Sequence, residues 1–541
     1  MSYQAIGLFV HTIFDKKLPA QMLSGYAFTN SAFILENAGL IKYKQKYQNL
    51  YKDVVFGRFS LIEHDGRKVF IRTDPSGQDT LFVFDDGKHW GISNSLLLLT
   101  QTLHLHGVKT EFAPESLDAF FVGGGGILGG QIVSNKTAIE HCRLLSPNQY
   151  VELNYENKTP TLTVQVLQKP KRSESYEHFL KSFGESWLQR VKAFAAVQRS
   201  LSISLSGGVD SRVSKALLHA SNVDYQCYSH ADSPDDLKVA KQLCFESGAL
   251  LTSNRSELQP RVNKKSHKFA LKDSIRLGLY ASAGVYNRFA PVRSFNLHRR
   301  INFVGGSLIG PVTMSFDTRK RLEAIELRYG AQGIHVAEEI AAGIKGLGLE
   351  VDDPFAMFHH YANFRSRIHY GAAWRTASQT IEVHPCMDSV LLELPELVSK
   401  EYIMGNGVPR DIIHMLAPSL GAVEYDAPGK IQSPERTSAY PSLAPKDDLE
   451  LFFDVDEIEP KSTDLSIAFP SKPGGSREQE KYLRSLFPEL ESFALEIGFN
   501  DSVIAKAKAE IEQGKRLMAY GNIINLYALS HGIDKVLPLI D

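Results

Sequence analysis

The sequence has little cysteine, no excess of charge of either sign and no long apolar run, and each absence excludes something. Its four cysteines in 541 residues, Cys142, Cys227, Cys244 and Cys386, stand far apart with no CxxC pair. That spacing argues against a disulfide framework and against a zinc site, and it fits a reducing compartment. A formal net charge of −1 leaves no basic excess for nucleic acid and no polybasic cluster for a membrane surface. No apolar run reaches the roughly 20 residues of a membrane span. The segment from Met1 to Val10 lacks the basic region and long apolar core of a signal peptide. The expectation is a cytoplasmic protein with no nucleic-acid or membrane partner. No repeat of fixed period interrupts the chain.

The rest of the composition is that of a globular protein. A hydrophobic fraction of 43% and a charged fraction of 22% suffice for a packed core, and 541 residues predict two or three domains. The rhythm changes near residue 170. Before it, Phe59 to Glu63, Lys68 to Arg72 and Leu81 to Phe84 read as short strands punctuated by Asp65-Gly66 and Asp86-Gly87, which are hairpin signals. Gln149 to Leu153 and Leu162 to Val166 read as a later hairpin, and Gln168 to Ser175 as a linker. After it, strands and helices alternate. Tyr225 to Ser229 is a strand ending in a polar residue. Ser233-Pro-Asp-Asp236 opens a helix with an N-cap, a proline at N1 and an acid at N3. Leu237, Ala240 and Cys244 share one face of it and Gly248 stops it. Ile301 to Val304 is a further strand, running into Gly305-Gly306. This alternation predicts a doubly wound parallel sheet with ligands at the carboxyl ends of its strands.

The most informative six residues are Ser206-Gly207-Gly208-Val209-Asp210-Ser211. They follow the apolar run Leu201 to Leu205 and precede a helical stretch beginning at Arg212. Two glycines let backbone N–H groups close on an anion, and the helix start adds its partial positive charge. Asp210 is placed to hold a magnesium ion, and Ser206 and Ser211 to donate to phosphate oxygens. No Gly-Lys-Ser/Thr follows, so this is not a Walker P-loop. Gly123 to Gly126 also lack that continuation and read as a plain loop.

The loop resembles the pyrophosphate loop of the N-type ATP pyrophosphatases, and nearly the whole chain, specifically only in patches, resembles the asparagine synthetase superfamily, which includes β-lactam synthetases. In the first half, Gly57-Arg-Phe59 to Asp65, Arg72-Thr-Asp74-Pro-Ser-Gly77 to Leu81, and Thr137 to Asn148 carry the likeness. In the second half it rests on Ser233 to Ala240, Ile381-Glu382-Val-His-Pro385-Cys-Met-Asp388, and Ala427-Pro-Gly-Lys430 to Pro434. The resemblance implies an α/β chain in two parts. Residues 1–167 would form a glutaminase-like α+β sandwich of the Ntn-hydrolase type, and 176–541 an ATP-pyrophosphatase synthetase domain with a doubly wound parallel sheet and a helical C-terminal part. It implies ATP and Mg2+ as cofactors. Ser206, Gly207, Gly208, Asp210 and Ser211 would hold the triphosphate, with Asp210 the metal ligand. Leu205, Tyr228 and Ser229 would lie near adenine, and Gly305 and Gly306 against pyrophosphate. Glu382 would serve as base and Lys430 as charge-neutralising residue. The partners implied are a small-molecule or peptide carboxylate and an amine, with a homodimer left open.

Two departures shape the functional expectation. Glutamine-dependent members carry a cysteine at position 2, whereas this chain has Ser2-Tyr3, and the segments that hold glutamine are missing. The first part then reads as an inactive scaffold, and glutamine-derived ammonia is not the expected nucleophile source. The family's acidic residues after the strand that here is Ile301 to Val304 are replaced by Gly305-Gly306-Ser307-Leu308, so Tyr361, Tyr370, His359 and His360 enter as alternative proton acceptors. Ser471-Lys-Pro-Gly-Gly475-Ser reads as a cover over the site or a linker. The expected function is an AMP-forming amide ligase that does not hydrolyse glutamine. It would make a lactam or macrolactam, or amidate a metabolite, in secondary-metabolite or surface-polysaccharide biosynthesis. A weakened nucleotide-binding regulator and an asparagine synthetase using free ammonia remain as alternatives. Sulfur transfer is disfavoured because no cysteine stands in a relay position. Replacing Ser2 with alanine is expected to leave amide formation unchanged in an assay with free amine. Loss of glutamine-dependent turnover in that variant would contradict the scaffold reading.

Overall fold

A computed structural model describes residues 10–12, 21–122, 128–156, 160–167, 173–197, 201–253, 266–268, 271–286, 294–296, 300–306, 308, 317–371, 380–444, 446–454, 481–482, 484–499, 501–512 and 519–537. Ser2, Gly123 to Gly126, Ser471 to Ser476 and the Tyr370 side chain lie outside the described residues. The chain is mixed α/β.

The first half is built on the hairpins that its Asp-Gly pairs specify. Phe56–Asp65 pairs antiparallel with Lys68–Thr73 across a two-residue turn in which Gly66 has φ +61°. Phe82–Asp85 pairs with Trp90–Ser93 across a turn in which Asp86 accepts from the N–H groups of Lys88 and His89. These strands belong to two sheets. One runs Thr161–Val166, Gln149–Asn154, Lys68–Thr73, Phe56–Asp65, Met22–Phe28, Ala32–Leu35, Glu450–Phe452, and the other Val10–Thr12, Trp90–Ser93, Phe82–Asp85, Cys142–Leu144. Ile62, Ile71 and Val151 of the first join Val83 and Ile92 of the second in one buried cluster, so the sheets face each other. Glu450–Phe452, from the far end of the chain, runs parallel to Ala32–Leu35 and closes that edge. The expected boundary near residue 170 is therefore crossed by a late strand.

The second half contains a five-stranded sheet in which every pairing is parallel. Its strands are β1 (Leu201–Ser204), β2 (Tyr225–Tyr228), β3 (Leu250–Thr252), β4 (Arg300–Phe303) and β5 (Thr380–Val383), in the order β3-β2-β1-β4-β5. Leu201 pairs with Tyr225 on one side and Ile301 on the other. The winding direction thus reverses between β1 and β4, and a crevice opens there at the carboxyl ends. Helix α1 (Tyr176–Ala196) precedes the sheet, α2 (Val209–Ala220) follows β1, and α3 (Pro234–Ser247) follows β2. Gly248, at φ +66°, ends α3 as the sequence predicts.

Helix α1 joins the two halves into one core. Phe179, Phe183, Trp187, Val191 and Phe194 recur at helical spacing and are all buried. The Phe194 ring meets Tyr26 at 5.1 Å and Trp187 meets Phe56 at 4.7 Å, while Ile203 and Phe303 of the parallel sheet belong to the same cluster. Arg190 and the Trp187 indole both donate to Asp388 Oδ2, at 2.6 and 3.1 Å, so the charge buried in this core is paired.

One buried cation ties the loop helix to a distant segment. Arg212 on α2 is fully buried. It donates to the carbonyls of Leu420, Val423 and Glu424 and lies 3.7 Å from the Tyr425 ring centroid. Replacing it with methionine strands those carbonyls. Denaturant unfolding is expected to show Arg212→Met less stable by about 2–4 kcal/mol, and an unchanged midpoint would contradict the tie.

Candidate functional site

The Ser206 to Ser211 loop leaves β1 where the winding reverses and enters α2. Leu205 N–H donates to Tyr228 O at 2.7 Å, which seats the end of β1 on the end of β2. Within the loop, Gly208 N–H donates to Ser206 Oγ at 3.2 Å, and Ser206 and Ser211 hydroxyls lie 3.1 Å apart. Gly208 is the N-cap of α2, and no side chain caps this helix. Its first N–H groups therefore point into the crevice with the positive end of the helix dipole behind them. That is the local requirement for an anion site.

Two carboxylates and one lysine surround the loop, which carries a third carboxylate, Asp210, of its own. Gly207 N–H donates to Asp236 Oδ1 at 2.6 Å. Asp236 is the expected acid in the first turn of α3, yet it reaches across to the loop, and Ser233 makes no side-chain cap. Asp426 packs on Gly207 so closely that a Cβ there would stand 2.3 Å from the Asp426 Cβ. Lys430 Nζ donates to both Asp426 oxygens, at 2.6 and 2.9 Å. Its loop is held by Asn406, whose amide donates to Lys430 O at 2.7 Å. Burial pushes the Asp210 carboxyl up to about 7, and the Lys430 charge pulls it the other way. Lys430 is thus brought to the loop from 220 residues downstream.

The remaining expected residues divide. Ser229, at the end of β2, is buried, and its hydroxyl has no hydrogen-bond partner among the described residues. A buried orphan hydroxyl beside the crevice is what a bound polar ligand would satisfy. Gly305 and Gly306 approach protein: a Cβ on Gly305 would lie 3.0 Å from Asp210 Cβ, and one on Gly306 2.9 Å from the Cys386 backbone. Their absent side chains let the end of β4 seat against α2 and the segment after β5.

Glu382 stands apart from the loop. It faces Arg58 of the first half at 3.7 Å and His384 at 3.5 Å, and its carbonyl accepts from Tyr26 Oη at 3.2 Å. His384, nearly fully buried, lies 3.0 Å from Gly305 O through Nδ1. His384 thus stands between Glu382 and the Gly305 carbonyl. Of the alternative acceptors, His360 is wholly buried, contacts Val133 O at 2.6 Å and is pushed down to about 4 by burial. Tyr361 belongs to the core. His359 lines a separate cavity of about 1340 Å³ between the halves, together with Arg72, Trp187 and Asp388.

The sequence reading missed Asp236 as a loop ligand and did not single out Asp426, Arg58 or His384. His384 sits two residues beyond Glu382 and Asp426 four before Lys430, so each was within a quoted motif or at its edge. Arg58 lies inside the Gly57-Arg-Phe59 motif, but nothing local announced its partner 324 residues away.

Magnesium is testable against the donors present. Among the described residues no group of three or more His, Cys, Asp or Glu side chains forms a ready metal cage. Asp210 offers one carboxylate at the helix start. A magnesium ion commonly takes one or two protein carboxylates and completes its shell with phosphate oxygens and water. The donor set fits that mode.

No family model and no curated protein matches the chain. A solved structure described as the allosteric regulatory enzyme of purine biosynthesis is similar over 51% of this chain and 46% of its own, at 11% identity and a TM-score of 0.14. The aligned part is thus less than half of that chain, and a score of this size carries no argument about fold or function. No helix among the described residues is long and apolar enough to cross a membrane.

The Asp210 environment has a sign. Its folded value near 7 exceeds the ordinary 3.8, so the folded chain holds this proton more tightly. The stability from this group is complete below about 4 and is lost as pH rises toward 7. Asp210→Asn is expected to melt about 2–4 °C above the parent at pH 8 and level with it at pH 4. Equal melting at both pH values would contradict the buried placement.

Proposed function

We propose that this chain is an ATP-dependent, AMP-forming amide ligase that adenylates a carboxylate and couples it to an amine without hydrolysing glutamine. The observation that carries the reading is the Ser206 to Ser211 loop at the reversal of the parallel sheet, entering an uncapped helix. The unpartnered Ser229 hydroxyl at the end of β2 supports it.

In this reading the α2 N–H groups and the Ser206 and Ser211 hydroxyls bind the phosphates. Asp210 would hold magnesium, whose chemistry is to offset phosphate charge. A carboxylate oxygen of the substrate attacks the α-phosphorus, the bond to the bridging oxygen breaks, and pyrophosphate leaves. The amine then adds to the acyl carbon and AMP leaves with its electron pair. The nitrogen must lose a proton, and Glu382, whose carboxylate lies 3.5 Å from His384 Nε2, is the candidate acceptor, with His384 Nδ1–H held by the Gly305 carbonyl. Lys430 stabilises negative charge as it develops. Asp236 leaves Gly207 N–H, or shares it, when phosphate enters. The substrate class is a small-molecule or peptide carboxylate, with the amine either internal or free. The proposed setting is secondary-metabolite or surface-polysaccharide biosynthesis.

A second reading has an observation in its favour. With Gly207 N–H bonded to Asp236, and Glu382 engaged by Arg58 and His384, the same crevice can hold nucleotide without turning it over. Pyrophosphate release separates the two. Across a panel of carboxylates with amine, ATP and magnesium, the ligase reading predicts release that falls at least about 100-fold in Asp210→Ala. Turnover unchanged in that variant would sink the mechanism, and nucleotide binding with no release for any carboxylate would favour the regulator.

A further inference from the structure

Lys215, on the face of α2 turned away from solvent, is fully buried. Its Nζ lies 3.2 Å from Tyr225 Oη, 3.5 Å from Cys227 Sγ and 3.9 Å from Cys244 Sγ. Among the described residues no carboxylate pairs with it. An ammonium removed from water without a counter-charge is costly, and the group beside it that can carry negative charge near neutral pH is a thiol. Cys227 on β2 and Cys244 on α3 thus flank the same ammonium. The neighbouring Cys244 thiol, and then the Lys215 charge, draw the Cys227 thiol down to about 7 against its burial, while Cys244 is pushed up. The result is a buried ammonium beside two sulfurs, of which Cys227 is the one drawn toward thiolate.

We propose that Cys227 and Cys244 form an oxidisable dithiol that hydrogen peroxide converts to a disulfide between β2 and α3. The Cys227 thiolate attacks one peroxide oxygen, the O–O bond breaks, and the other oxygen leaves as water once protonated. Cys244 sulfur then attacks the resulting sulfenic acid and the oxygen departs as a second water. Two thiols and one peroxide give one disulfide and two waters, and Lys215 holds the thiolate in place. Helix α3 lies at the surface, with Lys238, Lys241 and Phe245 exposed, so a local opening admits a molecule as small as peroxide. The bond would join the strand that ends at Ser229 to the helix whose first turn holds Gly207. Nothing in this pairing depends on the ligase reading.

Cys142 and Cys386 serve as internal controls. Both are free and buried, and burial raises their thiols, Cys142 to about 12. The folded full-length chain is treated with hydrogen peroxide, denatured in alkylating reagent and mapped by peptide mass. The expected product is a Cys227–Cys244 cross-linked peptide pair, lighter by two hydrogens and restored by a thiol reductant, with Cys142 and Cys386 still alkylated. The proposal is overturned if Cys227 and Cys244 stay alkylated to the same extent as the controls. It is equally overturned if Cys227 gains oxygen while Cys244 remains free, or if Lys215 is found bonded to a cysteine. Lys215→Met, close in volume, is expected to slow the cross-link about tenfold or more. An unchanged rate would remove the lysine from the account. In Cys244→Ser the cross-link vanishes and Cys227 accumulates oxygen adducts instead, whereas an unmodified Cys227 there would contradict its role as the attacked thiolate.

Discussion

The pairing of β1 with two parallel neighbours that wind away from it in opposite directions is the constraint from which the site follows. Because Leu201 bonds in register with both Tyr225 and Ile301, the connections after β1 and after β4 leave the sheet on diverging paths. The gap between them is where Ser206 to Ser211 turn into α2. Asp236 reaches the gap from the first turn of α3, and the other groups come from strand ends or through α2. Ser229 comes from β2, Gly305 from β4 and His384 from β5. Lys430 arrives because Arg212, one residue past the loop, holds the carbonyls of Leu420, Val423 and Glu424 just before it.

The charge distribution around the loop explains how an anion site can exist in an otherwise neutral chain. The helix start supplies positive potential with no side chain to neutralise it. Asp236 answers one N–H, Asp426 is matched by Lys430, and Asp210 is buried enough to keep its proton near neutrality. A phosphate entering the crevice competes with Asp236 for Gly207 N–H, and a divalent cation relieves the repulsion that results. In the proposed reading the carboxylates would make phosphate binding depend on metal.

What could be read in the sequence was what is local. Glycines in the loop, Asp-Gly at two hairpins, Pro234 at a helix start and Gly248 at its end each impose a backbone conformation on their neighbours, and each appears where its chemistry requires. What could not be read was long-range pairing. Asp236 looked like a first-turn acid and instead bonds Gly207. Glu382, a candidate base, lies near both Arg58 and His384. The late strand Glu450–Phe452 carries no mark that it completes a sheet begun at Met22. The four cysteines looked scattered, yet two of them converge on one lysine, because β2 and α3 are adjacent in space while 17 positions separate the sulfurs in sequence.

The central claim is that nucleotide phosphate occupies the loop at the sheet reversal. Hydrogen exchange measured with and without magnesium and an ATP analogue whose α,β-bridge cannot be cleaved tests it at the residues concerned. The account predicts slower exchange in peptides spanning 204–211 and 228–236 and no comparable protection in the strands of the first half. Equal exchange in the loop with and without the analogue, at saturating concentration, would contradict it.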